Sequence, residues 1–328
     1  MDALALIGRI LFTTLVYPGL VFLVVLGLLS QWYRRKLVAR LQNRVGPKYV
    51  GPVGILQPFA DVYKLLFVKE VVTGYYTPAR FIMFITTLGI VTLAASTVFL
   101  PITPYSIGVD YDVLVFIYLT LYASIAYAIV GFGSTSPYPS FGGIRYTTMM
   151  IVFEPAVAIS LLAIVRALAP GSLSIHEALS SPRIPGVGNP LHAAVLVAVL
   201  LTAGVALSIS LLSKAMMKPF DIPEAETEVA GGYLAELSGP TLGLSILLHE
   251  VELALYVLVL SNLLIPTPPM LPGLLEVATS LLKYFAVLTV LVVVAYSMGR
   301  VRLDQALRTL VKVPLPLSIL SLALSFLT

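Results

Sequence analysis

This sequence predicts an all-α integral membrane protein, on three observations. Of its 328 residues 59% are hydrophobic and 11% charged, against about 45–50% and 25% in soluble domains. Mean hydropathy is +0.99. The apolar residues also gather into stretches long enough to cross a hydrocarbon core of about 30 Å as helix. Eight such spans are predicted, near 4–31, 81–101, 112–133, 147–169, 192–214, 241–265, 277–298 and 311–328. The first is too long for the apolar core of a secretory signal and no A-x-A pattern follows it, so it is expected to be retained. The last is interrupted at its start by Pro314 and Pro316 and is barely long enough. Residues 1–328 read as a single membrane domain, with loops on one side at about 32–80, 134–146, 215–240 and 299–310.

The net charge of +4 comes from twenty Lys and Arg against sixteen Asp and Glu, and its placement follows the loops. Nine basic residues fall between the first two spans, from Arg34 to Arg80. Seven more, Arg145, Lys214, Lys218, Arg300, Arg302, Arg308 and Lys312, fall in the third, fifth and seventh loops. Arg183 alone sits in an opposite loop, with Arg166 at a span edge and Arg9 and Lys283 inside spans. The positive-inside rule then puts these loops in the cytoplasm and both termini outside a cell membrane. The charge thus records topology and gives no reason to expect nucleic acid. There is no cysteine, which excludes disulfides, cysteine nucleophiles and thiolate-held iron–sulfur clusters. No metal, flavin or cluster is expected in this chain, and any redox centre belongs to other subunits.

The outer loops, such as 102-ITPYSIGVD-110, are short connectors rich in Pro and Gly. The first basic loop is different. After the turn-rich 46-GPKYVGPVG-54, Pro58 suits a helix start, and Phe59, Val62, Tyr63 and Leu66 recur at helical spacing with Asp61 and Lys64 off that stripe. The pattern predicts a short amphipathic helix in the interface plane. It serves as a lipid anchor, a lid over a cavity or a docking surface.

The fifth loop concentrates acids: 218-KPFDIPEAETEVAGGYLAE-236 holds Asp221, Glu224, Glu226, Glu228 and Glu236. Asp221 and Glu224 have the spacing of a helix capping box. On a helix starting there, Asp221, Glu224 and Glu228 share a face and Glu226 points away from it. Capping needs neither Glu226 nor Glu228, and close carboxylates raise one another's proton affinity. Acids also lie inside spans, where each costs a few kcal/mol and faces a protein interior or a wet cavity. These are Glu154, followed by Pro155, and 249-HEVE-252 with Glu250 and Glu252. Position 253 is Leu, so the zinc motif H-E-x-x-H is incomplete. A proton path or a buried ion pair remains, with Arg9 and Lys283 as candidate partners.

Three segments carry a family resemblance. 35-RKLVARLQNRVGPKYVGPVGILQPFADVYKLLFVKE-70 and 219-PFDIPEAETEVAGGYLAELSG-239 resemble the two signature regions of the subunit 1 family of complex I, the NADH-quinone oxidoreductase. 131-GFGSTSPYPSFGGIRYTTMMIVFE-154 resembles its third loop and fourth span. The resemblance implies a membrane subunit on which hydrophilic subunits carrying the terminal iron–sulfur cluster dock, beside other membrane-arm subunits including antiporter-like ones. It implies that the first, third and fifth loops form part of a quinone chamber, with Arg35, Arg44, Gln57, Phe59, Asp61, Arg145 and Phe220 as candidates to line it or to form the docking surface. It also implies proton coupling through Asp221, Glu224, Glu226, Glu228 and Glu236, and an intramembrane path through Glu154 and Glu250 or Glu252.

The chain departs from the pattern at three places. Arg34 stands where the family has Glu, 214-KAMM-217 replaces its E-T-N-R, and Leu237 follows Glu236 where the family has Tyr. The membrane subunits of energy-converting [NiFe] hydrogenases and ferredoxin-linked complexes share the P-F-D-I-x-E-A-E core and an ending similar to 234-LAELSG-239, and use no quinone. The intact 51-GPVGILQPFAD-61 favours the quinone-linked branch. A secondary transporter would carry paired broken helices in two related halves, and no such halves are visible.

The topology is open to a direct test, because the chain lacks native cysteine. Single cysteines replacing Lys48 or Lys218 are expected to react with a membrane-impermeant thiol reagent only from the cytoplasmic side. Labelling of either from outside sealed cells overturns the orientation.

Overall fold

A computed structural model describes residues 8, 11–72, 74, 77–101, 106–182, 190–266 and 273–327. Arg9 and Arg183 lie outside them. Among the described residues there are eight helical stretches long and apolar enough to cross a membrane and no strand. The chain is an all-α, multi-pass membrane protein, as its sequence predicts.

The first stretch, Leu11–Leu41, breaks at residues 16–19 and resumes as α1, Leu20–Leu41. It runs ten residues past the predicted end at 31, so Arg34, Arg35, Lys36 and Arg40 ride on helix. It stops at Asn43, which takes a left-handed φ of 54°, a conformation its short polar side chain tolerates. α2, Gln57–Tyr63, is the expected interfacial helix and continues as a wider π turn over Lys64–Val68. Of its predicted apolar stripe, Val62 is buried and Phe59 and Leu66 pack on the core, while Tyr63 is 62% exposed; Phe67, off the stripe, is 73% exposed.

α3 is Ala79–Ser96 and α4 Asp112–Gly133. α5, Pro137–Leu168, starts ten residues before the predicted span, with proline in its first turn. The third loop is therefore mostly helix. α6, Ile175–Ser180, is a short helix between the α5 and α7 spans, and α7 is Pro190–Lys214. The fifth loop holds one helical turn, α8 at Glu226–Val229, and a 3-10 turn at Gly232–Leu234. α9 is Gly239–Leu264 and α10 Gly273–Ser297. The predicted loop at 299–310 holds amphipathic α11, Leu303–Lys312, and after a break at Val313 the predicted last span is α12, Pro314–Ser325. At 1.5 Å per residue α12 reaches only about 18 Å; with α11 the stretch has 23 residues.

α9 is the pillar. It packs against α1, α3 and α10, with further contacts to α7 and α4. Of its apolar window 78% is buried, against 22–56% for the other spans. α5, α7 and α12 pack together on the other side. α1 meets α9 backbone to backbone, because Gly27 has no side chain there; a Cβ at Gly27 would stand 2.8 Å from the Glu250 carbonyl oxygen. On the same helix, hydroxyl pairs Ser30–Tyr284 at 2.5 Å and Tyr33–Thr289 at 2.7 Å join α1 to α10.

Gly27 generates a prediction. Gly27→Ala should force α1 away from α9 and lower the melting temperature of the purified complex, since overpacking a tight contact costs about 1–3 kcal/mol. Gly299→Ala, where a Cβ meets nothing within 4 Å, should leave it unchanged.

Candidate functional site

The loops between α1 and α3, α4 and α5, α7 and α9, and α10 and α11 meet at one end of the bundle, fastened by side chains of the fifth loop. Asp221 receives two hydrogen bonds from Arg300, at 2.9 and 2.6 Å, and Arg300 also donates to Thr227 at 3.2 Å. Glu228 pairs with Arg145 at 2.6 Å. The Glu224 carboxylate accepts from the Tyr233 hydroxyl at 3.0 Å. Glu236 accepts from Thr77 at 3.3 Å, and Ser238 exchanges hydrogen bonds with the backbone of Val72 at 2.6 Å. Burial, then the nearby Glu224 charge, hold Tyr233 well above the ordinary phenol range, so it remains a donor.

The expected capping box does not form. The chain is non-helical from Asp221 to Ala225, with prolines at 219 and 223, and helix begins only at Glu226. Asp221 and Glu224 do hold the loop, but through Arg300 and Tyr233. The expected shared face of Asp221, Glu224 and Glu228 is likewise absent, and Glu226 is exposed.

Beneath this cap lies a cavity of about 580 Å³ whose wall includes Arg34, Arg35, Arg44, Glu224, Tyr233, His249, Glu250 and Tyr296. α1 brings Arg34 and Arg35, the segment after it Arg44, α9 His249 and Glu250, the fifth loop Glu224 and Tyr233. Of the residues singled out from sequence, Arg35, Arg44, Glu224 and Glu250 are in this wall. Gln57 and Asp61 stand behind it: Arg35 donates to Asp61 at 3.0 Å, and Gln57 to the same carboxylate at 2.8 Å. Phe59 packs on the core and Phe220 is buried beneath the fifth loop. Arg145, Asp221, Glu226, Glu228 and Glu236 are not in the wall.

The intramembrane acids are paired, though with other partners than expected. Arg34 forms an ion pair with Glu250, whose side chain is 4% exposed. His249 stands with Nδ1 3.8 Å from Glu250 and Nε2 2.8 Å from the Ala215 carbonyl. One residue before Ala215, Lys214 is not in a loop but buried at the end of α7. It pairs with Glu154 and lies 3.3 Å from Glu252. Ser124 donates to Glu154 at 2.5 Å and accepts from Lys214 at 2.8 Å. Lys283 instead donates to the Ile265 carbonyl, at 2.7 Å. By sequence alone Arg34 and Lys214 count as loop charges. The available signal is that both stand where the resembling pattern has an acid.

A family model described as NADH dehydrogenase matches residues 14–326. The chain belongs to that family, the subunit 1 family of complex I. Within the family, it is 32% identical over 254 residues to NADH-quinone oxidoreductase subunit 8 of Rhodothermus marinus, covering 72% of this chain and 70% of that one. A solved structure of the membrane-bound sulfane sulfur reductase, an archaeal respiratory membrane complex, contains a chain that superposes with a TM-score of 0.76 over 98% of this chain and 99% of its own. At 23% identity that likeness concerns the fold. As a member of the subunit 1 family, this protein is a component of an oxidoreductase complex in a membrane.

The Asp221–Arg300 clamp is testable in that setting. Asp221→Ala and Arg300→Ala should each increase proteolytic nicking of the fifth loop, and the double variant should add little to either. A double-mutant cycle on complex stability is expected to give a coupling of about 0.5–3 kcal/mol, the range for residues in direct contact.

Proposed function

We propose that this chain is the membrane subunit of a complex I-like proton-translocating oxidoreductase, with the 580 Å³ cavity receiving a quinone headgroup. The observation that carries this reading is a series of ionisable groups that starts at the cavity wall and continues, past one backbone carbonyl, to mid-span. Glu224, Arg34, Glu250 and His249 face or border the cavity. His249 touches the Ala215 carbonyl, and the preceding residue, Lys214, holds Glu154 and Glu252.

In this reading Arg35 and Arg44 attract an electron-rich headgroup and donate hydrogen bonds to it, while Tyr233 and His249, bound to Glu224 and to the Ala215 carbonyl, line the wall beside it. The exposed rings of Tyr63 and Phe67 on the interfacial helix suit an apolar tail arriving from lipid. Electrons come from a terminal iron–sulfur cluster in hydrophilic subunits docked on the cap, where Glu226, Glu228, Asp221 and Glu236 stand. Charge building up on the reduced acceptor raises the proton affinity of nearby carboxylates. The buried series passes that change into the membrane, towards antiporter-like subunits. The basic loops face the cytoplasm, with both termini outside the cell membrane.

A second reading keeps the charge series without quinone, as in energy-converting hydrogenases or ferredoxin-linked complexes. The 234-LAELSG-239 ending and the Arg34–Glu250 pair, which puts a cation where the quinone-linked pattern has an acid, favour it.

The test uses the whole complex in sealed vesicles, with acceptor reduction and proton uptake measured together. Glu154→Gln, and the double variant Glu250→Gln with Glu252→Gln, should assemble yet lose proton uptake about tenfold or more, at or below what a positioned proton-transfer group contributes. Full pumping in both removes the coupling role. Reduction of a short-chain quinone supports the first reading; its absence beside hydrogen or sulfide production supports the second.

A further inference from the structure

We infer that Lys214 is the moving counter-ion of a one-proton switch between Glu154 and Glu252. The inference rests on the coupling role proposed above and adds which groups hold the proton and what decides between them.

Charge counting comes first. Two carboxylates and one ammonium leave a net charge of −1 in a site where the Lys214, Glu252 and Glu154 side chains are 1%, 3% and 12% exposed; the nearest further charged groups, His249 and the Arg34–Glu250 pair, contact one another and the Ala215 carbonyl and, among the described residues, make no ion pair with this cluster. An uncompensated carboxylate in such surroundings is neutralised by taking a proton. The cluster therefore holds one proton on one of its two acids. A family-type acid at position 214 would leave three carboxyls and no internal cation, so the lysine changes what the cluster stores.

Geometry then selects the acid. Glu154 has the Lys214 ammonium and the Ser124 hydroxyl, itself held by Lys214. Neither Glu252 oxygen has a hydrogen bond of good geometry; the Lys214 ammonium is 3.3 Å from one of them and the Tyr127 hydroxyl stands beside the carboxyl. These contacts place the charge of the proposed switch on Glu154 and its proton on Glu252 in the arrangement seen. The ammonium need move little to reverse this, since Glu252 is already 3.3 Å from it. It lies 4.8 Å from the ring centre of Tyr256 and 5.9 Å from that of Phe153, aromatic faces that support a cation in either position. It also sits in the last turn of α7, where the helix end favours positive charge.

The step balances without any co-reactant. Lys214 shifts from Glu154 to Glu252, the O–H bond on Glu252 breaks, and an O–H bond forms on Glu154. Lys214 keeps its three protons and the cluster keeps its charge. The proton passes from α9 to α5. The Tyr127 and Tyr146 hydroxyls, buried without partners, offer sites for the water that would carry it.

Infrared difference spectroscopy of the assembled complex reads this directly through the C=O stretch of buried neutral carboxyls. The switch predicts one such signal from this cluster in the native protein. It should vanish in Glu252→Gln and equally in Glu154→Gln, because in either case the remaining acid takes the ammonium. Lys214→Met should raise it about twofold, both acids then being neutral. If that variant fails to assemble, Lys214→Met combined with Glu154→Gln should assemble and give the native signal, from Glu252 alone. Loss in only one of the two glutamine variants, or no change with Lys214→Met, means that the acids titrate independently and overturns the switch. These spectra need no turnover, so they judge the charge arrangement apart from the pumping measurements. Spectra as expected with full pumping in Lys214→Met would remove the switch from coupling while leaving its charges as assigned.

Discussion

Ionisable side chains are tolerated inside a bilayer only when protein encloses and neutralises them, and this constraint organises the whole chain. His249, Glu250 and Glu252 sit on the most enclosed span, and each neighbouring helix that supplies a cation must come close to it. α1 does so by presenting Gly27 to the Glu250 backbone, which sets Arg34 within reach of Glu250 two turns further along. α7 does so by ending at Lys214, wedged between α5 and α9. Replacing either cation with an apolar residue would leave its acid without a partner and force it to take a proton, so the helix packing and the charge pairing are one arrangement.

The loops obey the same logic in a wetter setting. The fifth loop cannot start a helix at Asp221, and its acids reach instead for Arg300, Arg145, Tyr233 and Thr77. Those contacts draw together segments that are far apart in sequence and close the roof of the cavity. Only Glu224, among the loop's five acids, is also part of the cavity wall. The same loop therefore fastens the cap with most of its acids and supplies the cavity with one.

Much of this is legible in the sequence. Hydropathy locates all eight spans, because a bilayer imposes one length on every helix that crosses it. Pro58 and the apolar stripe after it locate α2. Span ends are less legible, since α1 and α5 extend into polar surroundings on residues that periodicity alone cannot separate from loop. The intramembrane acids stand out as anomalies against their apolar neighbours, but their partners do not. Arg34 and Lys214 lie where span meets loop, and a basic residue there normally reaches out to headgroups; only tertiary packing turns these two inward. The Asp221 capping box misleads for a similar reason: its spacing is right, but two prolines and the pull of Arg300 keep that stretch extended.

The long separation within the ion pairs bears on how the chain is made. Arg34 is synthesised 216 residues before Glu250, and Glu154 precedes Lys214 by 60. While the ribosome works through the intervening spans, Arg34 can bide its time at the membrane surface, where its long side chain reaches water. Glu154, deeper in α5, has no such refuge until α7 brings Lys214 to it. Insertion of α7 and then α9 completes both ion pairs and joins α1, α5, α7 and α9. Biogenesis of this subunit thus has a late committing event, and truncated chains that stop before α9 are expected to persist in the membrane as loosely associated helices exposed to quality-control proteases.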